Sequence, residues 1–444
     1  MKKYTLWFVA CALFTTSCSL QKQLSGSAEK TIRDSSLLTA HVGISIFDAD
    51  ANRYLYNYQG DKYFVPASNT KIPTCYAAMK YLGDSIPGLE VTQLQNHLFI
   101  TGTGDPTLLH EDFKVHPVYN FLKSLDQGKE TVWFGSKGWE ATALGSGWAW
   151  NDFDAAYMVE RSSFPVYGNI VTFSGRFDSI RIFPKGFKDS IHEYSVPGGY
   201  LSSVTRSQYN NRFNTYSYGK SNRVIQVPFI TSVRLNLQLF EDSLKNTRKI
   251  VPPDWPPRVM ENVQSSSPKS YKIFSQPTDS LLKPMMHRSD NFFAEQSLLM
   301  VSNEALGVMN DAKIIDTILK TDFKDLPQRP RWADGSGLSR YNLFTPQDFV
   351  IILQKMKNEF GMDRIKEIFP TGGEGTLSSY YKSDSTFIYA KTGTLSGVVA
   401  LSGFLYTKKN KQLIFSVLVN NHNSSATAIR RAVERFLQGV RNKY

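Results

Sequence analysis

The stretch from residue 83 to residue 270 constrains the fold more than any other part of this chain. It is rich in Tyr, Phe, Trp, Gly and Ser, and short alternating runs recur at 169–173, 180–183 and 224–227. Alternation over so few residues is the pattern of half-buried strands. Prolines crowd its end, at Val251-Pro252-Pro253-Asp254-Trp255-Pro256-Pro257 and again at Ser265-Ser266-Ser267-Pro268. Such runs read as a boundary or linker. A length of 444 residues already exceeds what one core usually holds. The expectation is a β-rich insertion, 83–270, between a first part, 41–82, and a last part, 271–444. No internal repeat is present.

The first part opens as a hairpin. Val42-Gly43-Ile44-Ser45-Ile46-Phe47 alternates, 48–52 has turn chemistry, and Tyr54-Leu55-Tyr56-Asn57-Tyr58 is a second strand. It leads to Pro66-Ala67-Ser68-Asn69-Thr70-Lys71. If a helix starts near Pro66, Ser68 and Lys71 stand at i and i+3, one above the other. Serine is a poor nucleophile without an adjacent base, and a lysine serves if burial or a second cation lowers its pKa. An ordinary helix start with a solvated lysine has the same spacing, so this stretch decides nothing alone. Pro73 predicts a local distortion just after Lys71.

The last part turns helical from Asp279. Helices are expected after Ser289-Asp290-Asn291, at 311–319, and at 347–358 behind Thr345-Pro346. Strands are expected at 386–390, 398–406 and 412–419. A final helix, 426–440, carries Ile429, Ala432, Val433, Phe436 and Leu437 on one side.

The formal net charge is +12, but Lys and Arg are spread along the chain without a long basic block. That suits an anionic surface or polymer, and no nucleic-acid partner is expected. Met1-Lys2-Lys3, the apolar run 4–14 and Thr15-Thr16-Ser17-Cys18 have the layout of an export signal. The placing of the cysteine resembles a bacterial lipoprotein signal, although Thr15 stands where Leu is usual. The resemblance implies a signal peptide, 1–17, cleavage before Cys18, lipid on its sulfur, and a tether over 18–40. The protein is then exported and periplasmic, anchored to a membrane by its lipid. Of the other cysteines, Cys11 leaves with the signal and Cys75 has no intramolecular disulfide partner. No further stretch is long and apolar enough to span a bilayer. No metal or other cofactor is expected. His110, Glu111, Asp112 and His116 cluster without a ligand spacing, and Gly102-Thr103-Gly104-Asp105-Pro106 is a turn without the pattern of a phosphate loop.

Two further short motifs decide the function. Ser289-Asp290-Asn291 alone is a helix cap, and Lys391-Thr392-Gly393-Thr394 alone is the end of a strand and a turn. In order, Ser-x-x-Lys, Ser-x-Asn and Lys-Thr-Gly resemble the motif set of class A β-lactamases and penicillin-binding proteins. Ala333-Asp334-Gly335-Ser336-Gly337-Leu338-Ser339-Arg340 with Asn342-Leu343 and Thr345-Pro346 narrows the resemblance to the D-alanyl-D-alanine carboxypeptidase/endopeptidase family of low-molecular-weight penicillin-binding proteins. So do Gly104-Asp105-Pro106-Thr107-Leu108, Gly147-Trp148-Ala149-Trp150, Gly372-Gly373-Glu374-Gly375-Thr376-Leu377 and Ser396-Gly397-Val398. Against the family pattern, 84–99 is shortened and much of 119–250 matches poorly.

The resemblance implies an α+β fold: a penicillin-binding/β-lactamase-like catalytic domain, an antiparallel sheet flanked by helices, interrupted by β-rich inserted domains. The long interval from Ser68 to Ser289 fits that insertion and not a single-domain β-lactamase. It implies a serine D-Ala-D-Ala carboxypeptidase or endopeptidase acting on peptidoglycan stem peptides and acylated by penicillins and other β-lactam antibiotics. A β-lactamase or esterase on the same scaffold is the alternative. Ser68 is the expected nucleophile and Lys71 its base. Ser289 relays a proton to the leaving amine, and Asn291 orients Lys71 or the substrate amide. Lys391 is the positive charge for a carboxylate, assisted by the Thr392 and Thr394 hydroxyls. Gly393 allows close approach of the substrate. The backbone N–H groups of Ser68 and Thr394 form the expected oxyanion hole.

Overall fold

The hairpin at the start of the chain and three strands near its end join one antiparallel sheet. Its order is Ile388–Leu395, Val398–Tyr406, Gln412–Asn420, His41–Asp48, Arg53–Tyr58. The seam between the distant segments is continuous, with His41 opposite Asn420 and Asp48 opposite Leu413. The computed structural model describes residues 24–125, 130–136, 138–196, 198–244 and 269–444. The expected signal 1–17, Cys18 and the linkers at 251–257 and 265–268 lie outside the described residues.

The chain divides into two compact units, Met1–Tyr76 with Lys283–Ser289 and Thr317–Tyr444, and Ala77–Leu282 with Asp290–Asp316. In the first unit the central strands are buried on both faces, which explains near-continuous apolar runs such as Val398-Val399-Ala400-Leu401. One face presents Val42, Ile44, Val399, Leu401, Phe415 and Val417 to the apolar stripe of the final helix, Ala426–Lys443. The opposite face receives the helix Pro346–Ile368. Its start is a reciprocal cap: the Thr345 hydroxyl accepts from the Asp348 N–H at 3.1 Å, and the Asp348 carboxylate accepts from the Thr345 N–H at 2.9 Å.

Three expectations for this unit need correction. Residues 24–32, taken as part of a tether, are helical, and Leu24, Ala28 and Leu37 enter the same core as the final helix. Their apolar stripe is sparse in a polar stretch, which hides it from a sequence reading. The helix expected over 347–358 runs on to Ile368 across a break at Gly361. The Lys-Thr-Gly motif lies inside a strand, Ile388–Leu395, and the turn follows it.

The second unit is β-rich, as expected. Its four-stranded sheet runs Lys269–Pro277, Ser85–Leu94, His97–Gly102, Thr131–Gly135. Two three-stranded sheets, built from strands between Ile170 and Pro228, complete it among the described residues. Phe134, Phe164, Phe173, Phe213, Phe229 and Phe240 fill its core. Helices also contribute, at Pro117–Ser124 and Val233–Leu244. The expected boundary at 271 falls within Lys269–Pro277, because that strand pairs with Ser85–Leu94.

Candidate active site

The chain reaches Ser68 through a single 3-10 turn, Ala67–Thr70, and only at Lys71 does the α-helix Lys71–Tyr81 begin. A 3-10 turn has three residues per turn, so positions i and i+3 eclipse. Ser68 therefore lies directly under Lys71, and Lys71 Nζ is 3.1 Å from Ser68 Oγ. The distortion expected after Lys71 is thus before it. Pro73 sits in the first turn of the α-helix, where its missing N–H has no intrahelical acceptor to lose.

Lys71 is wholly buried, and its Nζ donates to the Ser336 carbonyl at 2.8 Å. That carbonyl belongs to the Asp334-Gly335-Ser336-Gly337 loop, whose geometry is set by Asp334. The Asp334 carboxylate accepts from the N–H of Gly337 at 2.8 Å, from the N–H of Ser339 at 2.6 Å and from the Asn342 amide at 2.8 Å. Thr74 adds a hydrogen bond to the Gly335 carbonyl at 2.6 Å. Gly337 has φ +82, and a Cβ there would lie 1.9 Å from the Ala67 carbonyl oxygen. Only glycine lets this loop close over the nucleophile turn.

The strand Ile388–Leu395 lies at the sheet edge, and its period of two divides the Lys-Thr-Gly-Thr motif between faces. Lys391 and Gly393 face the nucleophile turn. A Cβ on Gly393 would lie 2.6 Å from the Pro66 carbonyl oxygen and 3.1 Å from the Ser68 nitrogen. What Gly393 makes room for is thus the Ser68 turn itself. Asn69 locks the same contact: its amide donates to the Lys391 carbonyl at 2.8 Å and is hydrogen-bonded to the Ser402 hydroxyl. Lys391 is wholly buried, and its Nζ donates to Ser289 Oγ and to the Thr392 carbonyl, each at 2.8 Å. Burial, then the neighbouring Lys71 ammonium, then the Arg430 guanidinium hold the Lys391 ammonium well below the usual lysine range.

Thr392 and Thr394 face the final helix. The Thr392 hydroxyl donates to that of Thr376, in the Gly372–Leu377 segment marked in the sequence. The Thr394 hydroxyl is exposed and accepts from the Arg430 guanidinium. Ser289 has a left-handed backbone, φ 64, just before the helix Asn291–Leu306. Asp290 caps that helix, accepting from the Phe293 N–H at 3.0 Å. Asn291 belongs to the second unit, where its amide donates to the Tyr157 carbonyl at 2.9 Å.

The first unit thus brings together Ser68, Lys71, Ser289, Lys391 and Gly393, with Thr392 and Thr394 on the reverse of the same edge. Sequence reasoning missed three contributors: the Ser336 carbonyl, the Asp334 carboxylate and Arg430. The first two lay in a segment singled out in the sequence without a role. Arg430 gave no local signal, being one of two adjacent arginines on an amphipathic helix. Among the described residues no group of His, Cys, Asp and Glu is arranged to hold a metal ion. His110 and His116 accept hydrogen bonds from the N–H groups of Asp112 and Leu109 in their own loop.

The chain matches a family model described as the D-Ala-D-Ala carboxypeptidase 3 (S13) family over residues 24–177 and 230–440, leaving 178–229 outside the match. It is similar to a D-alanyl-D-alanine carboxypeptidase of Actinomadura sp. strain R39, 25% identical over 485 residues that cover 95% of this chain and 85% of that protein. It is also similar to D-alanyl-D-alanine carboxypeptidase DacB of Haemophilus influenzae, 24% identical over 451 residues, 91% of this chain and 90% of that one. The crystal structure of penicillin binding protein 4 from Haemophilus influenzae shares the fold, with a TM-score of 0.72 at 21% identity over 94% of this chain and 98% of that one.

Proposed function

The chain belongs to the D-Ala-D-Ala carboxypeptidase 3 (S13) family, and from that premise we propose that it hydrolyses the D-Ala-D-Ala ends of peptidoglycan stem peptides through an acyl-enzyme on Ser68. The observation that carries this reading is the Lys71–Ser68 pair. Lys71 is wholly buried, its Nζ donates to the Ser336 carbonyl at 2.8 Å, and it stands 3.1 Å from Ser68 Oγ, within reach of the hydroxyl proton. Ser68 Oγ attacks the carbonyl carbon of the penultimate residue, and its proton passes to Lys71. The oxyanion is held by the backbone N–H groups of Ser68 and Thr394, each worth about 3 kcal/mol in such sites. The intermediate collapses with cleavage of the C–N bond, and the leaving amine takes a proton through the Ser289 hydroxyl. Water then adds to the ester and releases Ser68. Asn291 orients the substrate amide. Lys391, behind Ser289, sets the field along this proton path, and the Thr392 and Thr394 hydroxyls line the carboxylate end. The first unit holds Ser68, Lys71, Ser289 and Lys391 and carries the acyl transfer, and the inserted stretch 83–270 is accessory structure.

The test is covalent labelling by a tagged penicillin. Wild type takes one label and Ser68→Ala takes none; an unlabelled wild type, or equal label on the variant, refutes the serine assignment. Release of D-Ala from a pentapeptide then separates a peptidase from a β-lactamase, which turns the penicillin over instead. Export and lipidation at Cys18 belong to the same proposal, supported by Lys2, Lys3, the apolar run 4–14 and the small residues before Cys18. Cys18→Ala is expected to leave the membrane fraction for the soluble one on cell fractionation.

A further inference from the structure

The edge of the Lys-Thr-Gly strand carries two cations, and the lysine is the one turned inward. Lys391 is wholly buried, on the face of the nucleophile turn, with hydrogen bonds to Ser289 and the Thr392 carbonyl. Arg430 reaches the opposite face from the final helix and donates to the exposed Thr394 hydroxyl. A hydroxyl that accepts from a guanidinium keeps its own proton to donate outward. The Arg430 Nε–H is buried and has no hydrogen-bond partner among the described residues, so the guanidinium meets a ligand only through its terminal Nη groups, one of which donates to Thr394. The Arg430 side chain lines a small apolar cavity with Thr392, Tyr380, Leu401 and Val433, and its Cζ lies 5.8 Å from the Tyr380 ring centroid. These contacts limit its rotamers and hold the guanidinium at the strand edge.

We propose that Arg430 is the specificity-determining cation for the substrate's terminal carboxylate, which accepts hydrogen bonds from the Thr394 hydroxyl and the Arg430 guanidinium while Lys391 serves the proton path at Ser289. The chemistry favours this division. A planar guanidinium matches a carboxylate in geometry and stays charged at any working pH. Lys391, depressed by burial and by two neighbouring cations, is a weaker source of fixed charge. The inference rests on the reading of Ser68 as the acylation centre and adds a residue outside the three motifs.

The experiment compares an acyl-D-Ala-D-Ala peptide with its C-terminal carboxamide on wild type, Arg430→Ala and Arg430→Lys. Wild type is expected to prefer the acid. Arg430→Ala should lose roughly 10- to 100-fold in kcat/KM on the acid, the range for a charge-assisted hydrogen bond. Its kcat/KM on the amide should fall by much less, since a neutral carboxamide forms no ion pair with the guanidinium. Arg430→Lys should fall between. The amide is an internal control for folding, since a misfolded variant loses both substrates. An equal loss on acid and amide, no loss on either, or a wild type indifferent to the carboxylate overturns the proposal. Penicillin labelling of Ser68 in the same samples separates this failure from the broader one: label with unchanged discrimination refutes Arg430 alone, and absence of label on wild type refutes the acylation centre.

Discussion

The two units bury their cations in opposite ways. In the second unit Arg161, 1% exposed, is surrounded by compensating groups. Its guanidinium donates to Glu295 at 3.2 Å and Asp311 at 2.6 Å, and to the Thr142 carbonyl at 3.0 Å, with the Trp148 ring centroid 5.6 Å away. In the first unit Lys71 and Lys391 are both 0% exposed, and burial and then the nearby Lys71 charge disfavour the charge on Lys391. The hydrogen bonds of Lys391 go to a hydroxyl and a carbonyl. A charge paired with carboxylates is satisfied in its resting state, which fixes structure. A cation buried beside a like charge is not offset in this way, which favours its giving up a proton. One arrangement serves architecture and the other reactivity.

The largest effect expected from this contrast is on Lys71. Lys71→Met should lower the acylation rate by about 10²–10⁴-fold, the usual contribution of a general base, and leave stability unchanged or raised. Pre-steady-state penicillin binding and a urea titration measure the two quantities. Arg161→Ala is expected to behave in reverse. Two carboxylates would lose their cation, at a cost of about 3–5 kcal/mol in the unfolding free energy. If Lys71→Met proved as destabilising as Arg161→Ala, the contrast between the two burials would be wrong.

How much of this could be read from the sequence follows the same division. Whatever is local was legible. The hairpin from His41 to Tyr58, the Thr345 cap and the stripe Ile429, Val433, Phe436, Leu437 all follow from spacing over a few residues. So did Ser68 over Lys71, although the turn that eclipses them is 3-10 rather than α. What escaped depends on partners far along the chain. Asp334 acts on Lys71 through a carbonyl, which carries no side-chain signature. Arg430 matters because an edge strand presents Thr394 to it. Helix 24–32 is held by the final helix, with Asp34 accepting from Arg435 at 2.7 Å. Strand alternation across Lys391-Thr392-Gly393-Thr394 was within reach, but reading Gly393 as a turn hid it.

A smaller effect is expected where the reactive unit presses backbone against backbone. In Gly393→Ala the new methyl must push either the edge strand or the Ser68 turn, since neither the Pro66 carbonyl nor the Ser68 nitrogen can rotate away. Overpacking of this kind costs about 1–3 kcal/mol. The loss in acylation should exceed what that destabilisation explains, because the displaced atoms include the Ser68 N–H. Acylation kinetics well below the melting range distinguish the two. An unaltered rate would mean that the contact only packs the sheet.

The smallest effect is a slope with pH. Above the ordinary lysine range Lys391 is neutral in both the folded and the unfolded chain, and folding pays nothing for it. As pH falls into the window between that range and the depressed folded value, the unfolded chain takes up the proton and the folded chain does not. The unfolded state then binds more protons, so stability falls with falling pH across this window and rises towards alkaline pH. Lys391→Met removes the group and should flatten that part of the slope. Urea midpoints of both proteins at pH 7 and pH 9 test it, since titrating groups that do not interact with Lys391 cancel in the difference. A difference between wild type and variant that does not change with pH would mean that Lys391 is charged in the fold after all. The first unit would then, like the second, hold a settled cation, and the proton path would have to be built on Lys71 alone.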